Sequence, residues 1–432
     1  MALTRRAALF ALVGVFVVFV APLHGWMVLY TEGLLAAAIV VDVTLAGSVR
    51  ALDVSRYGDT ARRLDEAASV GVSAVNYGKR RVRGVVRDAW PPSARGMPSR
   101  HRIDVAPGER RRLVTTLHPS RRAELQAGRV TFRSVGPLGL AARQGNHQAP
   151  WSLRVLPAFP SRKFLPEKLA KLRLLDGRTA ARIRGQGTEF DSLRDYVEGD
   201  DARSIDWRAT ARRSAVVVRT WRPERDRRLL LVLDTGRTSA ARIGNGTRLD
   251  AAIDAALLLG ALASRAGDRV DVMAIDNQPR LMVRGNEGVG DSLPGLLQSM
   301  AGLQPRLVET DGRRLVAEIL RRTSHRVLVV LFTALDEAAF SEAILPTLGQ
   351  VTSRHAVMLA AVTDPVVIEM TSDRDDARAA FDAAAAEKTL ASQRKVAGLL
   401  RRRGVDVVEG TPDEFASKVA DAYLSMKAQG LL

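Results

Sequence analysis

No cysteine occurs among the 432 residues, which excludes a disulfide framework, a thiolate metal site and a cysteine nucleophile. That suits a body facing the cytosol. A phosphate-binding glycine loop is also missing: "GNGTRLD" lacks the lysine and spacing of a Walker motif, so this chain is not expected to hydrolyse ATP itself. His101, His118 and His147 are separated and lack metal-ligand spacing, which favours packing roles. Acidic residues are outnumbered, 47 against 65 basic ones, for a formal charge of +18. Yet no nucleic-acid motif accompanies the arginines, which are scattered over the full length, so nucleic acid is not an expected partner. Attraction to the lipids of an anionic membrane face is the expected consequence.

An apolar share of 46% is enough for real cores, and it is unevenly spread. Residues 1–50 hold two apolar runs. Arg5 and Arg6 precede "AALFALVGVFVVFVAPLHG", and "WMVLYTEGLLAAAIVVDVTLAG" follows at once, opened by the interfacial aromatics Trp26 and Tyr30. A transmembrane helical hairpin is predicted. Arginines lie before the first run and after the second (Arg50, Arg56), so both ends should face the cytoplasm of a two-pass cell-membrane protein. Glu32 and Asp42 weaken the second span and are expected to reach headgroups or water from opposite ends of the helix.

From 51 to 160 the period shortens to alternating runs such as "ASVGVSAVNYG" and "GRVTFRSVGPLGL", separated by Gly, Pro and Asn. This pattern predicts a β-sandwich-like middle domain. Residues 161–224 comprise a connector and a charged segment. From 225 to 432 strands alternate with helices, beginning with the buried run "RRLLLVLDTG", which predicts an α/β doubly wound sheet. Asp413 is a candidate cap for the last helix.

The charged segment reads "EFDSLRDYVEGDDARSIDWRATAR". Its acids alternate with arginines, and it contains neither a histidine nor a nucleophile with a base, which argues against an acid/base site. An ion-paired structural turn is favoured, with Asp200 or Asp201 capping a helix near Ala202 and Arg194, Arg203 and Arg212 bridging Asp195, Asp200 and Asp206. A docking surface is compatible with that, since Tyr196, Trp207 and arginine are types enriched at interface hot spots.

Gly187, Glu189, Phe190, Leu193, Arg194, Tyr196, Gly199, Asp200, Asp201, Arg203, Ile205, Asp206, Trp207, Ala211 and Arg212 together resemble the signature of the membrane-anchored family called domain of unknown function 58. The resemblance implies a von Willebrand factor A-like domain after the signature. It also implies a MoxR-type AAA+ ATPase as partner. In A-type domains it further implies a divalent cation at the carboxyl end of the sheet. Here that loop reads "DTGRTS": Asp234 and Thr238 are kept, Gly236 replaces the first serine, and Thr310 is the candidate loop threonine. Ala334 stands where a later aspartate is expected, with Asp336 two residues on, so any Mg²⁺ site is degenerate.

These features predict a non-enzymatic, membrane-anchored adaptor that presents substrates to the ATPase or localises it. Two alternatives compete: a metal-dependent enzyme built on the signature aspartates, and an electrostatic binder of anionic lipid or nucleic acid.

Overall fold

The computed structural model describes residues 2–20, 26–182, 189–213, 215–222, 227–285, 293–337, 344–373 and 375–431. It divides into two compact units, Met1–Leu156 and Pro157–Leu432.

In the first unit, helices Arg5–Val20 and Trp26–Leu45 lie against each other and are apolar along nearly their whole length. Among the described residues one helical stretch, Val28–Ala51, is long and apolar enough to cross a membrane. The β-rich remainder contains a five-stranded sheet in the order Ala2–Leu3, Ala141–His147, Val130–Val135, Val82–Asp88 and Arg100–Val105. A three-stranded antiparallel sheet, Leu52–Gly58, Ala68–Asn76 and Arg110–Leu117, faces it. Val72, Ala74 and Leu113 from one sheet meet Val86, Ile103 and Phe132 from the other in a common core. The alternation in sequence supplies that core, because successive strand side chains point to opposite faces. A buried ion pair, Arg56 with Asp88 at 2.6 Å, spans this unit, and Asp88 also accepts from Trp90 Nε1 and Thr115 Oγ1. His101 and His147 are packing residues: the first meets Thr115 Oγ1 at 3.0 Å, and the second lies edge-on to Phe132.

Asp42 departs from expectation. It is fully buried, and its carboxylate accepts backbone N–H bonds from Leu138, Leu140 and Ala141, each at 2.7 Å. An acid near the end of an apolar helix is therefore a tie to the β-rich part, not a group reaching for water. Gly136 makes room for it, since a Cβ there would fall under 3.0 Å from the Asp42 carboxylate. The same loop receives the start of the first helix, where Thr4 Oγ1 contacts the Gly139 and Leu140 carbonyls.

The second unit opens with Phe159, a short 3-10 turn at Pro160–Phe164 and helix Leu165–Arg182. Phe159 and Leu172 enter the core of this unit, so the segment read as a connector is part of its body. Lys168, itself buried, bonds Asp421 at 2.7 Å, and Ser161 Oγ donates to Asp254 at 2.8 Å.

The six-stranded sheet runs Pro279–Val283, Arg269–Ile275, Arg228–Asp234, Leu328–Phe332, Ala356–Val362, Val405–Gly410. Only the Pro279–Val283 edge strand is antiparallel. Leu229, Leu231 and Leu233 face one core with helices Arg248–Arg265 and Pro412–Ala428. Leu230 and Val232 face another with Gly312–Arg322, Leu345–Thr352 and Ala377–Arg402. Helices thus cover both faces, and the continuous apolar run of the central strand follows from burial on both sides. Helix Arg248–Arg265 begins with a Thr247/Asp250 capping box and is followed by Gly267 at φ +77°. The last helix is capped by Thr411 with Glu414 rather than by Asp413, which lies inside its first turn behind Pro412.

Candidate functional site

Two places bear on function: the charged signature and the carboxyl end of the sheet. The signature forms a two-stranded antiparallel ribbon, Glu189–Asp195 with Val217–Arg222, and between the strands lie a 3-10 turn, Ala202–Ser204, and helix Trp207–Arg213. Gly187 lies outside the described residues, and Glu189 and Phe190 pair through their backbone with Arg222 and Trp221.

Asp200, Asp201 and Asp206 are each committed to a structural bond, whereas the Asp195 side chain, expected to be bridged by an arginine, is exposed and makes none among the described residues. Asp200 accepts from Arg194 Nη1 at 2.7 Å and Nη2 at 2.5 Å, and from the Val197 N–H. Asp201 caps the 3-10 turn through the Arg203 N–H. Asp206 Oδ1 caps the short helix at Arg208 and Ala209, and its Oδ2 takes Arg219 at 2.8 Å. Of the three arginines expected to bridge aspartates, Arg194 does so, to Asp200, but the partner of Asp206 is Arg219 rather than Arg203 or Arg212. Arg219 sits on the opposite strand, a pairing visible only once the register is known. Arg194 beside Asp200, and Arg219 beside Asp206, hold both carboxyls below the ordinary 3.8. Carboxylates kept ionised in this way are poor proton donors at neutral pH. Gly199, at φ +107°, makes the turn ahead of them.

Further backbone bonds fix the frame. The Tyr196 N–H donates to Val216, the Asp206 N–H to Val217, and Ile205 bridges Val218. Against it, Trp207 is 69% exposed and Tyr196 39%, with Val197 and Val216 beside them. Arg203, Arg208 and Arg212 are also exposed. A rigid frame thus displays aromatic and cationic side chains. Leu193 is half-buried within it.

At the carboxyl end of the central strand, Asp234 is buried and saturated with donors. Oδ1 accepts from the Gly236 N–H at 2.8 Å and Thr310 Oγ1 at 2.5 Å, while Oδ2 accepts from Thr333 Oγ1 at 2.6 Å and Thr238 Oγ1 at 3.5 Å. The three residues expected together are together. Thr333, beside the Ala334 that replaces a carboxylate, carries no sequence signal of this role. Gly236 is explained by Thr310: a Cβ at 236 would lie under 3.0 Å from that hydroxyl, so the threonine fills the space of a serine side chain. Arg248 Nη1 donates to the Thr238 carbonyl at 2.6 Å. Burial lowers the guanidinium's pKa, against the pull of Asp364, Asp234 and Asp336.

This donor set does not fit a divalent cation. The carboxylate bonded to these hydroxyls is Asp234, whose oxygens are already taken, and a guanidinium stands nearby as competing positive charge. Among the described residues no group of three or more His, Asp or Glu side chains is arranged to hold a metal.

Residues 192–390 match the family described as "Protein of unknown function DUF58", so the resemblance carried by the signature is supported over that stretch. No curated protein matches the chain. Among solved structures it is similar to the CARDB domain of the PF1109 protein in complex with di-metal ions from Pyrococcus furiosus. Identity is 17%, over 24% of this chain and 91% of that one, with a TM-score of 0.19, a likeness too slight to bear on fold or function.

Proposed function

We propose that this chain is a non-enzymatic adaptor, anchored by a two-pass helical hairpin, that docks a protein partner on its signature ribbon. The observation that carries this reading is Trp207, 69% exposed on a helix whose start is fixed by Asp206 and Arg219. An exposed tryptophan in a segment that also exposes Arg203, Arg208 and Arg212 has the composition of an interface hot spot. The two-pass anchor is supported by the loop 138–141, which holds both Thr4, at the start of the first helix, and Asp42, near the end of the second. Helices pinned in this way run out from one side and return to it. Flanking arginines then favour a cytoplasmic β-rich part. The sheet order, with an aspartate at the end of its central strand, supports an A-like reading of the second unit. The DUF58 resemblance points to a MoxR-type AAA+ ATPase as the partner.

Affinity capture of the detergent-solubilised chain, followed by mass spectrometry, tests this. The expected result is an AAA+ ATPase lost in Trp207→Ala and retained in Trp207→Phe, with amide exchange in the ribbon unchanged. Capture that is indifferent to Trp207→Ala overturns the docking surface. Absence of any ATPase overturns the partner.

A further inference from the structure

The sheet of the second unit is electrically polar along its strands. At the amino-terminal ends stand Arg227 and Arg228, Arg269, Arg326 and Arg354, with Asp268 among them held by Lys427; at the carboxyl ends stand Asp234, Asp276 and Asp364. At the basic edge there is a cavity of about 210 Å³. Arg228, Arg284, Arg322 and Thr323 line it, Leu230 and Met282 give it an apolar side, and Asp271 completes it.

The polar groups there differ in how far their bonding is used. Arg322 is steered by Glu318, at 3.0 Å from Nε and 2.8 Å from Nη2. Asp271 accepts the Gly285 N–H at 2.8 Å, and Thr323 Oγ1 donates to the Ile319 carbonyl. Arg228 and Arg284, by contrast, make no side-chain hydrogen bond or ion pair among the described residues, although Arg228 is half-buried at the start of the central strand. Arg228 is half-buried and Arg284 exposed, so the planar fork of five N–H donors on each guanidinium is open to an incoming acceptor from the cavity. A ligand that matches three guanidiniums around a cavity of this size is anionic, small and rich in oxygen, which describes a phosphate group.

We propose that this cavity is a phosphate-binding site, with Arg228 and Arg284 as its principal ligands and Arg322, fixed by Glu318, as a third positive charge. The phosphate comes either from a free anion or from a lipid headgroup. The site lies at the opposite end of the strands from Asp234 and does not depend on the docking surface around Trp207.

The test uses the full chain in phosphatidylcholine nanodiscs, titrated with inorganic phosphate at constant ionic strength, with binding read by phosphorus NMR line width and by thermal unfolding. A parallel arm replaces part of the lipid with phosphatidylglycerol and omits free phosphate. Saturable binding in the first arm, weakened at least about tenfold in Arg228→Gln/Arg284→Gln, identifies a free-anion site. A rise in unfolding temperature with anionic lipid alone, lost in the same double variant, identifies a headgroup site. The control is Arg378→Gln, an equal loss of charge for each arginine removed, on helix Ala377–Arg402. The proposal is overturned if neither arm shows saturable binding, if the double variant binds like the parent, or if Arg378→Gln weakens binding as much as Arg228→Gln alone.

Discussion

Arg194 grips Asp200 with both ends of its guanidinium, at 2.7 and 2.5 Å, and the same carboxylate collects the Val197 N–H. This pair closes the turn through Gly199. Arg194→Ala should free the turn, so faster amide exchange at Val197 is expected, while the unfolding temperature of the chain hardly moves because the pair is solvent-exposed. Exchange at Val197 that matches the parent would show the turn to be held by other bonds.

Acid should act on the same ribbon. Asp200 and Asp206 have folded-state pKa values below the ordinary 3.8, because Arg194 and Arg219 stabilise the charged form. Their contribution is therefore present above that ordinary value and is lost as pH falls through the depressed folded values. Exchange in the ribbon should be constant from neutral pH down to the ordinary carboxylate range and rise only below it, after correction for intrinsic rates. Asp206→Asn should remove part of that acid dependence.

Asp254 behaves in the opposite sense. Burial raises its pKa from 3.8 to about 6, against the bonds from Ser161. Its stabilising contribution is complete below the unfolded value, and it declines as pH rises through the folded value, by about 2–3 kcal/mol in all. Asp254→Asn, which keeps an acceptor for Ser161, should match the parent near pH 4 and exceed its stability above about pH 7, a comparison made by chemical denaturation at both values.

At the carboxyl end of the sheet, Asp234→Ala leaves the Thr310 and Thr333 hydroxyls and the Gly236 N–H without their acceptor. A loss of about 2–4 kcal/mol is expected in equilibrium unfolding. The parent should unfold at the same temperature in excess Mg²⁺ as in EDTA. An Asp234-dependent rise with Mg²⁺ would contradict the closed donor set described above.

These sites also show what a sequence discloses. The run "RRLLLVLDTG" announced its strand because a segment buried on both faces has no polar period to hide it, and Asp234 stood out as the first charge after it. Alternation did the same for the β-rich part. What stayed hidden depends on partners brought in by tertiary pairing. Arg219 reaches Asp206 only through the ribbon register, and Thr333 reaches Asp234 from just past a neighbouring strand, 99 residues on. Asp413 looked like a cap because it is an acid near a helix start. Pro412 at the first helical position assigns the cap to Thr411, with Glu414 completing the box. Asp42 was misjudged for a related reason: in a window of apolar residues an acid is visible only as a cost, and its three donors lie 96 to 99 residues downstream.

Asp42→Ala, and equally Gly136→Ala, should release the loop 138–141. For Asp42→Ala, about 3 kcal/mol or more of the β-rich unit's stability is at stake, since three backbone donors lose one buried acceptor. Protection of the Leu140 and Ala141 amides from exchange is the direct readout, and full protection in Asp42→Ala would deny the carboxylate its role.

The separation of Asp42 from its donors also orders events in time. A ribosome adding 5–20 residues per second needs roughly 5–20 s to travel from Asp42 to Ala141, so the helix emerges long before its carboxylate has a partner. During that interval the chain carries an acid near the end of an apolar helix with nothing to receive it. Completion of the β-rich part buries that side chain against its three donors, so the bond at Asp42 forms only when both halves of the first unit have been made and joined.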